Sequence, residues 1–180
     1  MMRYFPIMIL CVALTPWFFG TAGAGIEYYP DPVYQKLNAD DPPPMEDMIA
    51  LAKQGDARAQ FILGDLYAKG KGGFARDPAK ARRWFEESAI NGYNHSFIRL
   101  AALAKHEDKP LDAWKWYTLA IDGFAQGGEK TFAIAARHSL IADAKLLPED
   151  IWRARKSMND WVLARGKRLR AASQACSETP

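Results

Sequence analysis

The sequence predicts an all-α protein of stacked antiparallel helix hairpins, and three observations carry that expectation. From Met45 onward no strand-like alternation of apolar and polar residues occurs, whereas apolar residues recur at the three- and four-residue spacing of a helix face. Helix starts are marked by Asp56 and by Asp77-Pro78, an acid able to cap free N–H groups and a proline where no N–H is needed. A short beat, Ala-x-x-Gly, closes three segments at Gly55, Gly92 and Gly123, and these glycines lie 37 and 31 residues apart. Such periods belong to helix-hairpin solenoids. At 180 residues, 49% hydrophobic and 25% charged, the chain suits one domain plus a leader and excludes wholesale disorder.

Residues 1–24 read as a secretory signal peptide. Arg3 precedes an apolar run from Tyr4 to Phe19, and Ala22-Gly23-Ala24 supplies a small-residue cleavage pattern. The rival reading is an uncleaved membrane anchor, but the run is short for a span and holds Pro6 and Pro16. Leu10 before Cys11 argues against a lipoprotein signal. Cleavage would leave Cys176 as a single thiol in the polar tail, residues 173–180. Residues 25–44 form an acidic lead-in with five prolines, including Pro42-Pro43-Pro44, which holds the backbone extended. Tyr28, Tyr29 and Tyr34 within it suit a strap lying on the first helices, with a partner-binding tail as the alternative.

The helical domain is expected over residues 45–172, with helices at 45–54, 57–69, 78–91, 94–105, 110–124, 129–145 and 148–172. Leu63, Leu66, Tyr67 and Gly70 share one face, as do Trp84, Phe85, Ser88 and Ala89, and Trp114, Tyr117, Ile121 and Phe124. Aligning Gly55 with Gly92 pairs Ala59 with Ser96, Leu63 with Leu100, Gly64 with Ala101 and Leu66 with Leu103. Ala81 to Phe85 then matches Ala113 to Tyr117, with a shortened loop at His106 to Lys109. Glycine inside a helix costs about 1 kcal/mol relative to alanine, so Gly64 predicts a close backbone approach, and Ala59, Ala81 and Ala89 predict tightly spaced helices.

Residues 55–70 and 77–92 together resemble the Sel-1-like repeat, a branch of the tetratricopeptide superfamily. Residues 92–123 are similar to a degenerate second copy, in which Ala101 replaces the family glycine and Ala104 the tyrosine. Within the expected capping helices, residues 129–172, the stretch Leu146 to Trp161 is similar to the terminal helix pair closing many bacterial members. The resemblance implies a right-handed α-solenoid used as a protein-interaction platform, often exported in bacteria, with no catalytic or cofactor residues to carry over. Some disulfide-rich members have been linked to penicillin binding, but this chain lacks their paired cysteines.

Motifs for chemistry are sparse. His95, His106 and His138 stand outside any His-Glu-x-x-His pattern, and with two cysteines in all no Cys-x-x-Cys exists; we therefore expect no metal and no cofactor. His106 beside Glu107 and Asp108 reads as a solvated loop. Lys69-Gly70-Lys71-Gly72-Gly73 follows a helix rather than a strand and lacks the phosphate-loop spacing. No Gly-x-Ser-x-Gly occurs. The net charge of +3 is too mild to argue for nucleic acid. The last helix is basic, with Arg153, Arg155, Lys156, Arg165, Lys167, Arg168 and Arg170. We read it as a solvated face favoured by the helix dipole over a surface for anionic membrane or polysaccharide, and Trp152 and Trp161 as packing residues.

The expected function is an exported, non-catalytic adaptor of the bacterial envelope, periplasmic or secreted and monomeric. It would bind a protein partner across the first helices of its hairpins. Positions that vary between the two copies are the candidate contacts: Arg58 against His95, Ile62 against Arg99, Asp65 against Ala102, and Lys69 against His106. The rivals are an immunity or regulatory binder on the same scaffold, and a cell-wall enzyme, for which no matched pair of reacting groups is present.

Overall fold

A computed structural model describes residues 45–177 of the chain. The leader, the prolyl lead-in, the thiol of Cys176 and the end of the tail lie outside the described residues. Seven helices follow one another: α1 (Met45–Lys53), α2 (Ala57–Lys69), α3 (Pro78–Ile90), α4 (His95–His106), α5 (Pro110–Gly123), α6 (Gly128–Asp143) and α7 (Pro148–Ser177). No strand occurs among the described residues, so the all-α hairpin architecture stands. Consecutive helices from α1 to α6 pack on their neighbours, whereas α7 packs chiefly on α5.

The ends of the helices follow from their capping chemistry. The Asp56 carboxylate accepts the Ala59 N–H at 2.7 Å, and Asp77 accepts the Lys80 N–H at 2.9 Å ahead of Pro78. Both fill donors that a first turn leaves without partners. Gly70 ends α2 in the left-handed conformation (φ 68°) and returns its N–H to the Leu66 carbonyl at 2.9 Å, the usual glycine stop. Asn94, expected within α4, instead turns its amide to the Gly123 carbonyl at 2.5 Å. Lys145 is left-handed (φ 50°), which halts α6 before the expected end.

The core runs continuously through the repeats. Leu63 and its counterpart Leu100 are fully buried, as are Ala81, Ala89, Ala104, Ala113 and Ala120. A Cβ added to Gly64 would lie 2.6 Å from Cδ1 of Phe85, so the residue occupying the notch is a packed ring from α3 rather than a backbone. In the second hairpin Ala101 and Tyr117 take the same places, both buried. Three polar side chains inside are paired: Ser96 bonds the Ser88 hydroxyl at 2.6 Å, Ser88 donates to the Ala57 carbonyl at 2.6 Å, and Gln60 donates to the Ala52 carbonyl at 3.0 Å. Those bonds avoid the desolvation cost of a lone buried hydroxyl or amide.

Helix α7 closes the stack by running back across it. Trp161 sets its ring edge-on against Trp116 at 5.4 Å and Phe97 at 5.6 Å. Arg165 donates to the Ile90 carbonyl at 3.0 Å, and Arg168 pairs with Glu87 at 2.9 Å. Two expectations for this helix are corrected. Trp152 is 65% exposed and does not join the core. The helix also extends to Ser177, so its last turn holds no cation and the dipole gives its arginines no reason to be there.

Candidate interaction surface

The candidate contact residues lie on α2 and α4, the first helices of the two hairpins, and the structure divides them into two groups. Ile62 and Asp65 lie beneath the surface, 3% and 2% exposed, so neither presents a side chain to a partner. Ile62 belongs to the core cluster. Asp65 Oδ2 is 2.9 Å from Lys69 Nζ and Oδ1 is 3.3 Å from Arg99 Nη2. The Arg99 guanidinium also lies 5.8 Å from the Phe61 ring centroid. A buried carboxylate needs such partners, because an uncompensated charge inside a protein is costly. Arg99 thus joins the second copy to the first, and its 11% side-chain exposure leaves only an edge at the surface.

Arg58, Lys69 and His106 are exposed, and His95 is half-buried. Arg58 and His95 stand at the starts of α2 and α4, Lys69 and His106 at their ends. Eleven residues of helix separate Arg58 from Lys69, about 16 Å at the helical rise. The exposed set is an arginine, a lysine and a histidine, and the carboxylate of the same ridge, Asp65, is already neutralised from both sides.

One end of this ridge carries an aromatic run that sequence reasoning missed. Phe61 meets Tyr93 at 5.0 Å, Tyr93 stacks on His95 at 4.8 Å, and His95 meets Phe124 edge-on at 5.2 Å. The rings cross from α2 through the α3–α4 link to the residue that closes α5. A signal for it existed: Gly92-Tyr93 and Gly123-Phe124 both place an aromatic ring directly after the beat glycine.

Elsewhere the charged groups serve the scaffold. Glu107, beside His106 in the loop, pairs with Arg82 at 2.7 Å and Lys109 at 2.8 Å. Hydrogen bonds from those two side chains, Arg82 first, hold its carboxyl below the usual range. Glu86 on α3 is pushed the other way: burial raises its carboxyl, with Arg82 and Lys115 partly opposing. A cavity of about 200 Å³ opens beside the α4–α5 turn, lined by Lys105, Asp108, Lys109, Leu140 and Asp143 among others, with no histidine, serine or cysteine in its wall. No group of three or more histidine, cysteine, aspartate or glutamate side chains could hold a metal ion among the described residues. No helix among them is long and apolar enough to cross a membrane.

Against known families, residues 57–93 match the Sel1 repeat. That span is α2, the glycine-rich loop, α3 and Tyr93, the hairpin whose caps and Gly64–Phe85 notch are described above. Neither the curated proteins nor the solved structures gave a match to the chain.

Proposed function

Starting from a chain that carries a Sel1 repeat, we propose that it is an exported, non-catalytic scaffold that docks an acidic protein segment along the first-helix ridge of α2 and α4. Sel1 repeats generally mediate protein–protein interaction, which supports the scaffold reading. The observation that carries the choice of face is the division at Asp65. The Asp65–Arg99 pair fixes one copy to the next from within, leaving Arg58, Lys69, His95 and His106 to carry the differences between copies at the surface. About 16 Å of ridge accommodates roughly five residues of extended chain at a strand-like rise. The basic side chains favour carboxylates on the segment. Export to the bacterial envelope rests on the leader, residues 1–24.

The test is capture of envelope proteins by the wild-type chain and by a variant with Arg58→Glu and His106→Glu, with Lys69 kept because it compensates the buried Asp65 carboxylate. Both positions are exposed, so helicity and melting should be preserved. Loss of captured protein by about tenfold or more is expected where charge complementarity sets the encounter. Equal capture by a folded variant would place the contact on another face and end this reading.

A further inference from the structure

The outward side of α7 combines two features that packing does not use. Trp152 and Leu163 are 65% and 63% exposed, and Val162 and Leu169 are exposed as well. At 3.6 residues per turn, Trp152, Leu163 and Arg170 fall in one row, and Arg155, Val162 and Leu169 fall in a second row beside it. The same helix carries seven basic residues against three acidic ones. Of the cations, Arg153 pairs with Asp150, Arg168 with Glu87, and Arg165 binds the Ile90 carbonyl. Arg155, Lys156, Lys167 and Arg170 have no ion pair among the described residues, and Lys156 lies 6.0 Å over the Trp152 ring.

From this juxtaposition we propose that the outward face of α7 docks on an anionic phospholipid surface. Trp152, Leu163, Val162 and Leu169 enter the headgroup boundary while Arg155, Lys156, Lys167 and Arg170 meet the lipid phosphates. A tryptophan with an apolar body and one N–H suits that boundary, and basic residues bordering apolar ones are the composition of helices that lie in the interfacial plane. Charge decides between occupants. A second copy laid on this face would bring like charges together, whereas an anionic bilayer neutralises them. The core face of the helix, with Ala154 and Trp161, stays on α5, so docking needs no unfolding. The proposal is independent of the α2–α4 ridge.

The test is co-sedimentation of the full chain with vesicles of phosphatidylcholine, with and without about one third phosphatidylglycerol. It is run for the wild type, for Trp152→Ser with Leu163→Ser, and for Arg155→Glu with Lys156→Glu, Lys167→Glu and Arg170→Glu. All variants share residues 1–44, so differences among them read α7 alone. The wild type should sediment with the anionic vesicles, at least about fivefold more than with neutral ones, and high salt should remove the excess by screening. Both variants should lose the excess while their circular dichroism is unchanged. A wild type that ignores anionic lipid overturns the proposal, as do variants that sediment like it. A dimer dissociated by the same substitutions would assign the face to a second copy. Sedimentation that appears only after Glu27, Asp31, Asp40 and Asp41 are made amides would assign it to the lead-in. Either result overturns the proposal.

Discussion

Gly64→Ala tests the packing that joins the two helices of the first hairpin. On an isolated helix the change would stabilise by about 1 kcal/mol, the propensity difference between the residues. Here the new methyl would lie 2.6 and 2.7 Å from Cδ1 and Cε1 of Phe85, and that ring is 1% exposed, enclosed on every side. Since the ring has no room to withdraw, the clash falls near the upper end of overpacking costs, about 3 kcal/mol. The net expectation is a loss of about 2 kcal/mol once the propensity gain is subtracted. Phe85→Leu removes the obstructing ring edge and is itself costly, since it leaves a cavity. In that background Gly64→Ala should become neutral or stabilising by up to about 1 kcal/mol, giving a coupling of roughly 2–3 kcal/mol between the two sites. Urea unfolding followed by circular dichroism for the four proteins of the cycle measures it. A stabilising Gly64→Ala in the wild-type background, or a coupling near zero, would refute the notch.

Other perturbations probe different parts of the scaffold. Leu63→Ala should cost about 2–5 kcal/mol in the same assay, because the side chain is fully buried at the centre of the cluster. Asp65→Ala should cost about 3 kcal/mol by stranding Arg99, whereas Asp65→Leu combined with Arg99→Met should recover most of the loss; equal losses in both would mean that the pair does not join α2 to α4. Burial raises the Glu86 carboxyl in the folded state, so folding disfavours its ionised form. The penalty is absent below the ordinary carboxylate range and grows as pH rises through the folded-state value. Glu86→Gln should therefore melt higher than wild type at neutral pH, with the gain vanishing below about pH 4; a gain independent of pH would contradict this.

Much of the fold was legible because its punctuation is local. Asp56, Asp77-Pro78 and Gly70 act within a turn of where they stand, so α2 begins and ends where the sequence predicts. Which candidate contacts reach the surface was only half legible. Comparing copies separates variable from constant positions, but it cannot tell surface variation from variation across an internal seam. Ile62 and Asp65 lie on that seam, where Asp65 answers Arg99 one copy later. The two tryptophans of α7 are nine residues apart, half a turn out of phase on a helix. If Trp161 packs inward, Trp152 faces outward, a deduction the sequence allowed. The choice of α5 as the helix that receives α7 was not legible, because it depends on how far the closing helix runs back over the stack.

The central claim is that the exposed ends of α2 and α4 form one docking ridge, and site-specific photocrosslinking tests it most directly. A benzophenone side chain placed at Lys69, at His106, or at the exposed Arg83 of α3 would be irradiated in envelope extract. Adducts of one common mass from positions 69 and 106, and none from 83, are the predicted result. Adducts from 83 with none from 69 or 106 would contradict it.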